Sequence, residues 1–370
     1  MMSLVPMSGT LPEPAQPIGR GSGRSAQHQQ THTYTELAQA VREHRLNERT
    51  RGFYLTLFTA LILALGGTAV GILLLDDSWL QLLMAASLGL IFTQFAFLGH
   101  EASHRQILVS GRSNDRVGRI LATVFVGMSY AWWMSKHSRH HANPNKIGKD
   151  PDIETGAIAP TVEGLAGRGR LRLWIATRQG YLLFPLLLLF GLNLHLDSLR
   201  ALLSHQPVKG RWLELALLVL RFSGYLTILF VSLPLGLALA FLGVQLAVFG
   251  LYMGAAFAPN HIGMPIVPRD GKLDFLTKQV RASRNVTGGW WVTTLMGGLN
   301  YQIEHHLFPS MPRRHLAAAR RLTRNYCHVH AIPYTETTLL QAWGTVITYL
   351  NQVGIAADDT FRCPTSSTLR

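Results

Sequence analysis

Eight of the 16 histidines in this 370-residue chain lie in four short motifs whose spacing suits metal ligation. The motifs are HEASH from residue 100, HSRHH from residue 137, PNH from residue 259 and QIEHH from residue 302. Side chains three or four residues apart share one face of a helix, so the histidines of one motif can point at one metal ion. Eight imidazoles are enough for two metal ions rather than one. They are His100, His104, His137, His140, His141, His261, His305 and His306.

The ligand types narrow the choice of metal without fixing it. Gln302 adds an amide oxygen as a weaker ligand three residues before His305. A structural zinc site needs four ligands and usually thiolates, whereas Cys327 and Cys363 lie far from the motifs and are predicted to be free thiols. Imidazole suits zinc, copper, iron and nickel alike. A histidine pair taken alone is more often a surface or capping pair, but several motifs that each follow an apolar stretch favour ligation.

The composition is that of a membrane protein. Hydrophobic residues make up 48% of the chain and charged residues only 15%, which is too apolar for a typical soluble protein of this length. The net charge of +14 suits anionic lipid headgroups, phosphorylated substrates or nucleic acid. Because the chain contains long apolar runs, we expect a lipid bilayer and phosphorylated or lipid partners, and no nucleic acid.

Four apolar runs are long enough to cross a bilayer. Polar turns after the first and the third run predict two hairpins, so the expected fold class is an all-α integral membrane protein with four transmembrane helices. Four arginines between residues 42 and 51 precede the first run and place its start in the cytoplasm by the positive-inside rule. Each hairpin returns a histidine motif to that side, so all four motifs share one face of the membrane. The predicted spans are about residues 53–75, 79–99, 213–233 and 236–258.

Two other apolar segments are predicted to stay on the cytoplasmic side. Residues 120–135 are too short for a comfortable span, and a crossing there would separate the HSRHH motif from the HEASH motif. Residues 181–199 are interrupted by Pro185 and polar residues and favour an interfacial helix, with His195 on its polar face. We expect three divisions of the chain, namely a disordered tail at 1–33, a membrane domain at 34–345 and a C-terminal tail at 346–370.

The histidine motifs and their flanking residues together resemble the membrane fatty-acyl desaturases. HEASH, HSRHH followed by ANPN and DPD, PNH and NYQIEHHLFP occur in that family's order and at similar spacing, over roughly residues 50–345. Gln302 in place of a histidine is similar to the QxxHH variant of the linoleoyl-CoA desaturase-like and front-end branch. The sequence contains no His-Pro-Gly-Gly motif, so we expect no fused cytochrome b5-type haem domain.

The resemblance implies four transmembrane helices beneath a cytoplasmic helical cap that holds the dimetal site. It also implies an oxygen-dependent enzyme with a non-haem diiron centre. The eight histidines would hold two irons, with Gln302 as a weaker ligand and Asn260 acting through a bound water. Two hydrogens would leave adjacent methylenes of a fatty acyl chain, carried by coenzyme A or by a lipid, to give a cis double bond and water. Electrons would come from a separate ferredoxin or cytochrome b5-type donor and an NAD(P)H reductase. The active site would face the cytoplasm, with a bacterial plasma membrane favoured over the endoplasmic reticulum.

Several polar and aromatic residues near the motifs have two interpretations each. Asp150 and Asp152 either orient ligand imidazoles or form a turn with Pro151. Four tryptophans line a substrate tunnel or form an interfacial belt, and six basic residues bind the phosphates of an acyl-CoA or lipid headgroups. The tryptophans are Trp132, Trp133, Trp290 and Trp291, and the basic residues are Arg139, Lys146, Lys149, Lys278, Arg281 and Arg284.

Two other functions fit part of the pattern. A diiron fatty acyl hydroxylase uses the same ligands, and no residue named above excludes it. A histidine-rich metal transporter would also bind metal, but it should carry ionisable residues inside its spans. Residues 53–75 and 79–99 contain no Asp, Glu, Lys, Arg or His. Desaturation is therefore favoured, with hydroxylation as the nearest alternative and transport as a less favoured one.

Overall fold

A computed structural model describes residues 34–154, 156, 158–165, 167 and 169–362, with side chains up to residue 357. The predicted tail at 1–33 and Cys363 lie outside these residues. The described part is mostly helical, and residues 34–43 form α1. The later helices are α2 (Arg51–Leu74), α3 (Gln81–Ser103), α4 (Gly111–Arg119), α5 (Tyr130–Ala142), α6 (Arg170–Ala176), α7 (Gln179–Leu203), α8 (Arg211–Ser232), α9 (Leu235–His261), α10 (Phe275–Arg281), α11 (Trp290–Leu295), α12 (Gln302–Leu307), α13 (Arg313–Val329) and α14 (Leu339–Arg362). The shorter elements are a π-helix (Ile120–Val126), two 3-10 turns (Glu163–Leu165 and Leu299–Tyr301) and the strands β1 (Asn285–Thr287) and β2 (Glu336–Thr338).

Five helices in the described part are long and apolar enough to cross a membrane, judged by length and composition. Four of them, α2, α3, α8 and α9, overlap the four predicted spans to within two residues at the ends that fall short. The fifth is α7, for which the sequence indicated an interfacial helix. The chain is thus a mostly helical membrane protein, and the number of helices that cross the bilayer stays a prediction.

The helices α3 and α9 form the centre of the bundle. Phe95 of α3 and both Phe241 and Phe249 of α9 are among the largest fully buried side chains. Side chains of α2 and α8 complete this core, including Leu61 and Leu229. Inside a bilayer such packing contributes mainly through van der Waals contact, because lipid tails are as apolar as the side chains.

Two glycines bring α7 and α9 into backbone contact. A Cβ atom on Gly250 would lie 2.3 Å from the backbone nitrogen of Gly191, and one on Gly191 would lie 2.5 Å from the carbonyl oxygen of Leu246. Only glycine fits at such distances, so the crossing depends on both residues. Small residues commonly allow helices to approach this closely in membranes.

The apolar segment at residues 120–135 does not form one continuous helix. The π-helix ends at Val126, and Gly127 takes a left-handed conformation with φ of 91°. The N-cap of α5 is Ser129, whose hydroxyl accepts a hydrogen bond from the backbone N–H of Trp132. This bond satisfies one of the free donors at the helix start. The segment is therefore not one continuous helix, its place outside the bilayer core stays a prediction, and α5 carries the HSRHH motif.

A smaller polar layer, the cap, consists of α1 and residues 262–338. Its own hydrophobic core joins α1 to α10, α12 and α13, with Val41, Val280 and Ile303 fully buried. The strands β1 and β2 pair in parallel beside it. This core holds the six-residue helix α12, which carries the QIEHH motif.

The last described helix crosses a predicted boundary. α14 begins at Leu339, so the boundary at residue 345 falls inside it. Val346 and Leu350 pack against α7, and Val353 packs against α6. The first part of the predicted C-terminal tail is therefore a helix whose apolar face is buried against the membrane domain.

Candidate metal centre

Four helix segments bring the histidine motifs together. The C-terminal end of α3 carries HEASH, and α5 carries HSRHH. The C-terminal end of α9 carries PNH, and α12 carries QIEHH. The structure places all eight predicted histidines in two adjoining groups.

The first group contains five histidines whose ligand nitrogens all lie within 4.8 Å of one another. The Nε2 atom of His137 lies 3.1 Å from that of His100 and 2.8 Å from that of His104. The Nε2 atoms of His305 and His141 are 3.1 Å apart. Three helices, α3, α5 and α12, thus supply one potential ligand set.

The second group consists of His140, His261 and His306. The Nε2 atoms of His140 and His261 are 3.3 Å apart. The amide group of Gln302 lies 2.8 Å from Nε2 of His261, and its oxygen accepts a hydrogen bond from Asn260 at 3.1 Å. Both weaker ligand candidates are therefore buried beside this group, and their ligand roles stay predictions.

Asp150 orients one imidazole of the second group. This buried carboxylate accepts hydrogen bonds from Nδ1 of His140 at 3.0 Å and from the backbone N–H of Asn145 at 2.7 Å. A proton held on Nδ1 leaves the lone pair of Nε2 free to bind a metal. Asp152 lies 3.3 Å from the same Nδ1 atom and forms an ion pair with Lys136 at 2.8 Å. The contacts of Asp150 fit the orienting interpretation, whereas Asp152 links His140 to a neighbouring cation.

Gln279 is a contributor that was not identified from the sequence. Its Oε1 accepts a hydrogen bond from Nδ1 of His306 at 3.0 Å, and its Nε2 donates to the carbonyl oxygen of His141 at 2.9 Å. Gln279 is 1% exposed and joins the second motif to the last one. The carbonyl oxygen of Ala282 similarly accepts from Nδ1 of His261 at 2.8 Å. Gln279 lies 27 residues before His306, so no local sequence motif connects the two residues. The only sequence signal for Gln279 is its position on the face of α10 that is buried.

The donor set fits metal ions. Burial, together with neighbouring imidazoles, holds the pKa of His137, His141, His305 and His306 well below the usual value, so these rings are neutral and keep free lone pairs. Two nitrogen atoms that bind one metal ion at about 2.1 Å each, with an angle of about 90° between the bonds, lie about 3.0 Å apart. Four pairs of Nε2 atoms have separations close to this value, from 2.8 to 3.3 Å, and all ligand atoms of one group lie within 4.8 Å of one another. Nε2 of His306 is buried and has no hydrogen-bond partner in the described part of the chain. Unpaired buried nitrogens are costly unless something binds them, and a metal ion bound here would give this nitrogen a partner.

An apolar cavity of about 290 Å³ opens beside both groups. Histidines of both groups line it, and Trp133 lines it with its ring stacked on His137, the ring centroids being 4.4 Å apart. Such a cavity can hold a hydrocarbon chain and exclude water from the polar cluster. Its apolar lining includes Leu183, Leu187, Phe190, Leu194, Met253 and Phe257.

Only one of the four singled-out tryptophans lines this cavity. Trp133 does so, whereas Trp132 lines a separate groove. Trp290 and Trp291 are 81% and 48% exposed at the start of α11. The tunnel interpretation therefore applies to Trp133, and the exposed pair fits an interfacial position.

The six singled-out basic residues do not line the cavity. Lys146, Lys278 and Arg284 each donate hydrogen bonds to backbone carbonyl groups, at 2.7 to 2.8 Å, so they hold loops together. Lys136 is the cation that does line the cavity. The six residues therefore have no place at the cavity from which to bind a phosphate. Lys136 does line the cavity, although the sequence did not single it out.

A buried ion pair ties the HEASH motif to the cap. Glu101 accepts two hydrogen bonds from Arg313, at 2.6 and 2.7 Å. Both side chains are almost fully buried, and the hydroxyl of Tyr54 lies beside them. Bidentate pairs of this kind fix geometry as well as charge. The partners are 212 residues apart, so no local pattern could reveal the pair.

Fold and site together define a helical membrane protein with a buried polyhistidine cluster beside an apolar cavity. The chain belongs to the fatty acid desaturase family, whose family model matches residues 77–338. The matched range contains all four histidine motifs. The protein is accordingly an oxidoreductase of the desaturase type, and the family predicted from the motifs is confirmed.

Similar proteins carry desaturase names. A Delta(8)-fatty-acid desaturase of Helianthus annuus is 29% identical over 311 residues, covering 80% of this chain and 68% of the relative. An acyl-lipid (9-3)-desaturase of Borago officinalis is 26% identical over 316 residues, covering 82% and 70%. A Delta(6)-fatty-acid desaturase of Caenorhabditis elegans is 27% identical over 263 residues, covering 68% and 59%.

Proposed function

We propose that this desaturase uses O2 and two irons to insert a cis double bond into a fatty acyl chain carried by coenzyme A or by a lipid. The observation that carries the proposal is that both histidine groups line one apolar cavity of about 290 Å³. His100 and His137 of the first group line it, and so do His140 and His261 of the second. A methylene pair in this cavity therefore lies next to both groups.

Each histidine group would hold one iron, with Gln302 completing the smaller group. Iron bound there supplies the reduction of O2 and the cleavage of unactivated C–H bonds, which no side chain provides. The protein supplies imidazoles whose directions are fixed through Asp150 and Gln279. Oδ1 of Asn260 is buried and has no hydrogen-bond partner among the described residues, so it can accept a hydrogen bond from a water held at the second group.

The apolar walls position the substrate and keep water away. Leu187 and Phe190 of α7 lie on the cavity together with Met253 and Phe257 of α9. Holding one methylene pair beside the reactive centre lowers the entropy that must be lost during reaction. Dry walls also suppress side reactions of the activated site. The shape of this cavity therefore selects which carbons are oxidised.

In the proposed topology four helices cross the membrane, and α7 lies across the bundle on the cytoplasmic side. Near the start of α7, Gln179 donates a hydrogen bond to the carbonyl oxygen of Leu350 in α14 at 2.8 Å, and Leu183 lines the histidine cavity. Near its end, the hydroxyl of Ser198 accepts a hydrogen bond from the backbone N–H of Ser129 at the start of α5. Both ends thus contact segments that adjoin the histidine motifs, which supports a helix that does not cross.

Cysteine labelling with a membrane-impermeant thiol reagent tests this topology. Asp77→Cys lies in the exposed turn between α2 and α3, and His205→Cys lies in the exposed loop between α7 and α8. Four crossings put the two positions on opposite faces of the membrane. Labelling of both positions from the same face would mean that α7 crosses and would refute the proposed topology.

Electrons reach the site from a separate ferredoxin or cytochrome b5-type protein served by an NAD(P)H reductase. A cytoplasmic histidine side is supported by the four arginines ahead of α2, through the positive-inside rule. A bacterial plasma membrane is proposed in preference to the endoplasmic reticulum. That preference rests on the sequence alone. The three relatives named above come from plants and a nematode and do not support it.

Iron content and lipid products, measured together, test the function. Detergent-purified protein should hold two irons, one for each histidine group. Cells that express the chain should accumulate acyl species lighter by two hydrogens, and cells that express the His137→Ala variant should not. Acyl species heavier by one oxygen would establish a hydroxylase instead. Zinc in the protein, unchanged lipids and metal uptake into sealed vesicles would establish a transporter.

A further inference from the structure

An open groove of about 740 Å³ lies apart from the histidine cavity. Its lining comes from α4, from the start of α5 and from the loop between α7 and α8. Four cations line it, Arg112, Arg116, Arg119 and Lys209, against one carboxylate, that of Asp115. We call it the basic groove.

Two of these five charged groups already have partners. Nε of Arg119 donates to the buried carboxylate of Glu214 at 3.0 Å. The carboxylate of Asp115 accepts a hydrogen bond from the hydroxyl of Tyr130 at 3.1 Å. Arg119 therefore contributes little free charge, and one oxygen of the single carboxylate is engaged within the protein.

The other three cations are available to a ligand. Arg112, Arg116 and Lys209 are exposed, and none of them has a hydrogen bond or ion pair with a described residue. Arg112 and Arg116 are four residues apart in α4 and share one face of that helix. Guanidinium groups match the geometry of phosphate oxygens, and a lysine adds a compact positive charge. An anion bound among the three side chains would offset their mutual repulsion.

The remainder of the groove is largely apolar and lies at the end of two apolar helices. Trp132, Met134 and Val208 line it together with the cations. On either side of the loop, Leu203 is 64% exposed and Trp212 is 76% exposed. The helices α7 and α8 are both apolar enough for a membrane and meet at this loop, so a bilayer around them would bring lipid headgroups to the level of the groove. A small soluble anion would leave the apolar lining uncovered, whereas a phospholipid would cover it.

We propose that the basic groove binds an anionic phospholipid. Its phosphate contacts Arg112, Arg116 and Lys209, and its glycerol and upper acyl chain lie against Trp132 and Val208. The site requires neither a metal nor the desaturation reaction, so the proposal stands independently of the function proposed above.

Lipid binding to the detergent-purified full chain tests the proposal. Native mass spectrometry counts bound phosphatidylglycerol and, for comparison, phosphatidylcholine with the same acyl chains. Wild-type protein should bind phosphatidylglycerol more tightly. Each cation near an anionic lipid is worth about fivefold in affinity, so the Arg112→Gln, Arg116→Gln, Lys209→Gln triple variant should lose on the order of 100-fold.

Two further variants separate this effect from a general loss of charge or of folding. A matched control removes three exposed cap cations by Lys272→Gln, Arg314→Gln and Arg321→Gln and should bind like wild type. Val208→Glu keeps every cation and places a carboxylate in the groove, so it should weaken binding of phosphatidylglycerol while circular dichroism shows unchanged helix content.

Three results would overturn the proposal. The first is equal affinity of wild-type protein for the two lipids. The second is a triple variant that binds phosphatidylglycerol as tightly as the matched control does. The third is displacement of the lipid by an equal concentration of glycerol 3-phosphate, which would make the groove a site for a soluble phosphate compound.

Discussion

Replacing Gln279 by leucine should weaken metal binding and also lower the stability of the folded protein. The substitution removes the acceptor for Nδ1 of His306 and the donor for the carbonyl oxygen of His141. Each buried group left without a partner costs about 1–3 kcal/mol, so the free energy of unfolding should fall by roughly 2–6 kcal/mol. Removing the group that orients a metal-binding histidine typically lowers metal affinity about 10- to 100-fold.

Chelator competition measures this effect directly. Iron content is followed as the chelator concentration rises, and the melting temperature is recorded on the same samples. Gln179→Leu is the matched control, because Gln179 is also 1% exposed and hydrogen-bonds the backbone of Ala159 and Leu350 away from the histidines. It should lower the melting temperature comparably and leave iron affinity unchanged. Gln279→Glu keeps an acceptor for His306 and should retain more iron than Gln279→Leu.

Two outcomes would refute the reasoning about Gln279. If Gln279→Leu holds iron as tightly as wild type, the hydrogen bond to His306 does not orient a ligand. If Gln179→Leu loses iron to the same extent, the effect comes from general destabilisation.

Three other substitutions have defined outcomes. His137→Ala should abolish desaturation, measured by lipid mass spectrometry, and leave membrane insertion intact because the apolar helices are unchanged. Normal turnover by this variant would refute the assignment of the site. Arg313→Leu leaves Glu101 buried without its partner and should cost about 3–5 kcal/mol of unfolding free energy, which an unchanged melting temperature would contradict. Gly250→Ala forces α7 and α9 apart and should lower the free energy of unfolding by about 1–3 kcal/mol. Gly243→Ala is the control, because its Cβ atom would meet no atom within 4 Å, and it should not lower the stability. Equal melting temperatures of the two variants would disprove the requirement for close contact.

The histidine cluster could be predicted because its information is local. Spacings of three and four residues describe one helix face wherever the helix lies in the fold. Motifs placed at the ends of apolar runs then converge if both hairpins return to the same side. That reasoning placed His100 of α3 and His261 of α9 in one region, and in the structure both residues line the cavity beside the two groups.

The groups that hold the cluster in place could not be predicted because their contacts are long-range. Gln279 and the pair of Glu101 with Arg313 reach their partners across 27 and 212 residues. Neither contact follows a helix period, so residue type alone gives no reason to select them. Burial identifies them only after the elements have been brought together.

The polar residues and the proline in α7 favour an interfacial helix when the sequence is read alone, but they do not interrupt the helix in the structure. Pro185 lies inside a continuous helix. The polar residues find partners nearby, since Asn193 donates to Asp197 at 2.9 Å and Nδ1 of His195 donates to the carbonyl oxygen of Gly127 at 2.9 Å. His195 belongs to neither histidine group, and its ring packs against Phe222 and Phe249, so it does not lie on the predicted polar face.

The two histidine groups share two of their helices. α5 gives His137 and His141 to the first group and His140 to the second, and α12 gives His305 to the first and His306 to the second. Successive residues on a helix point about 100° apart, so one orientation of each helix satisfies both groups at once. Ordering α5 and α12 around one ion therefore reduces the entropy cost of binding the other. Loading is expected to be cooperative, and a half-saturated preparation should contain mainly empty and fully loaded molecules.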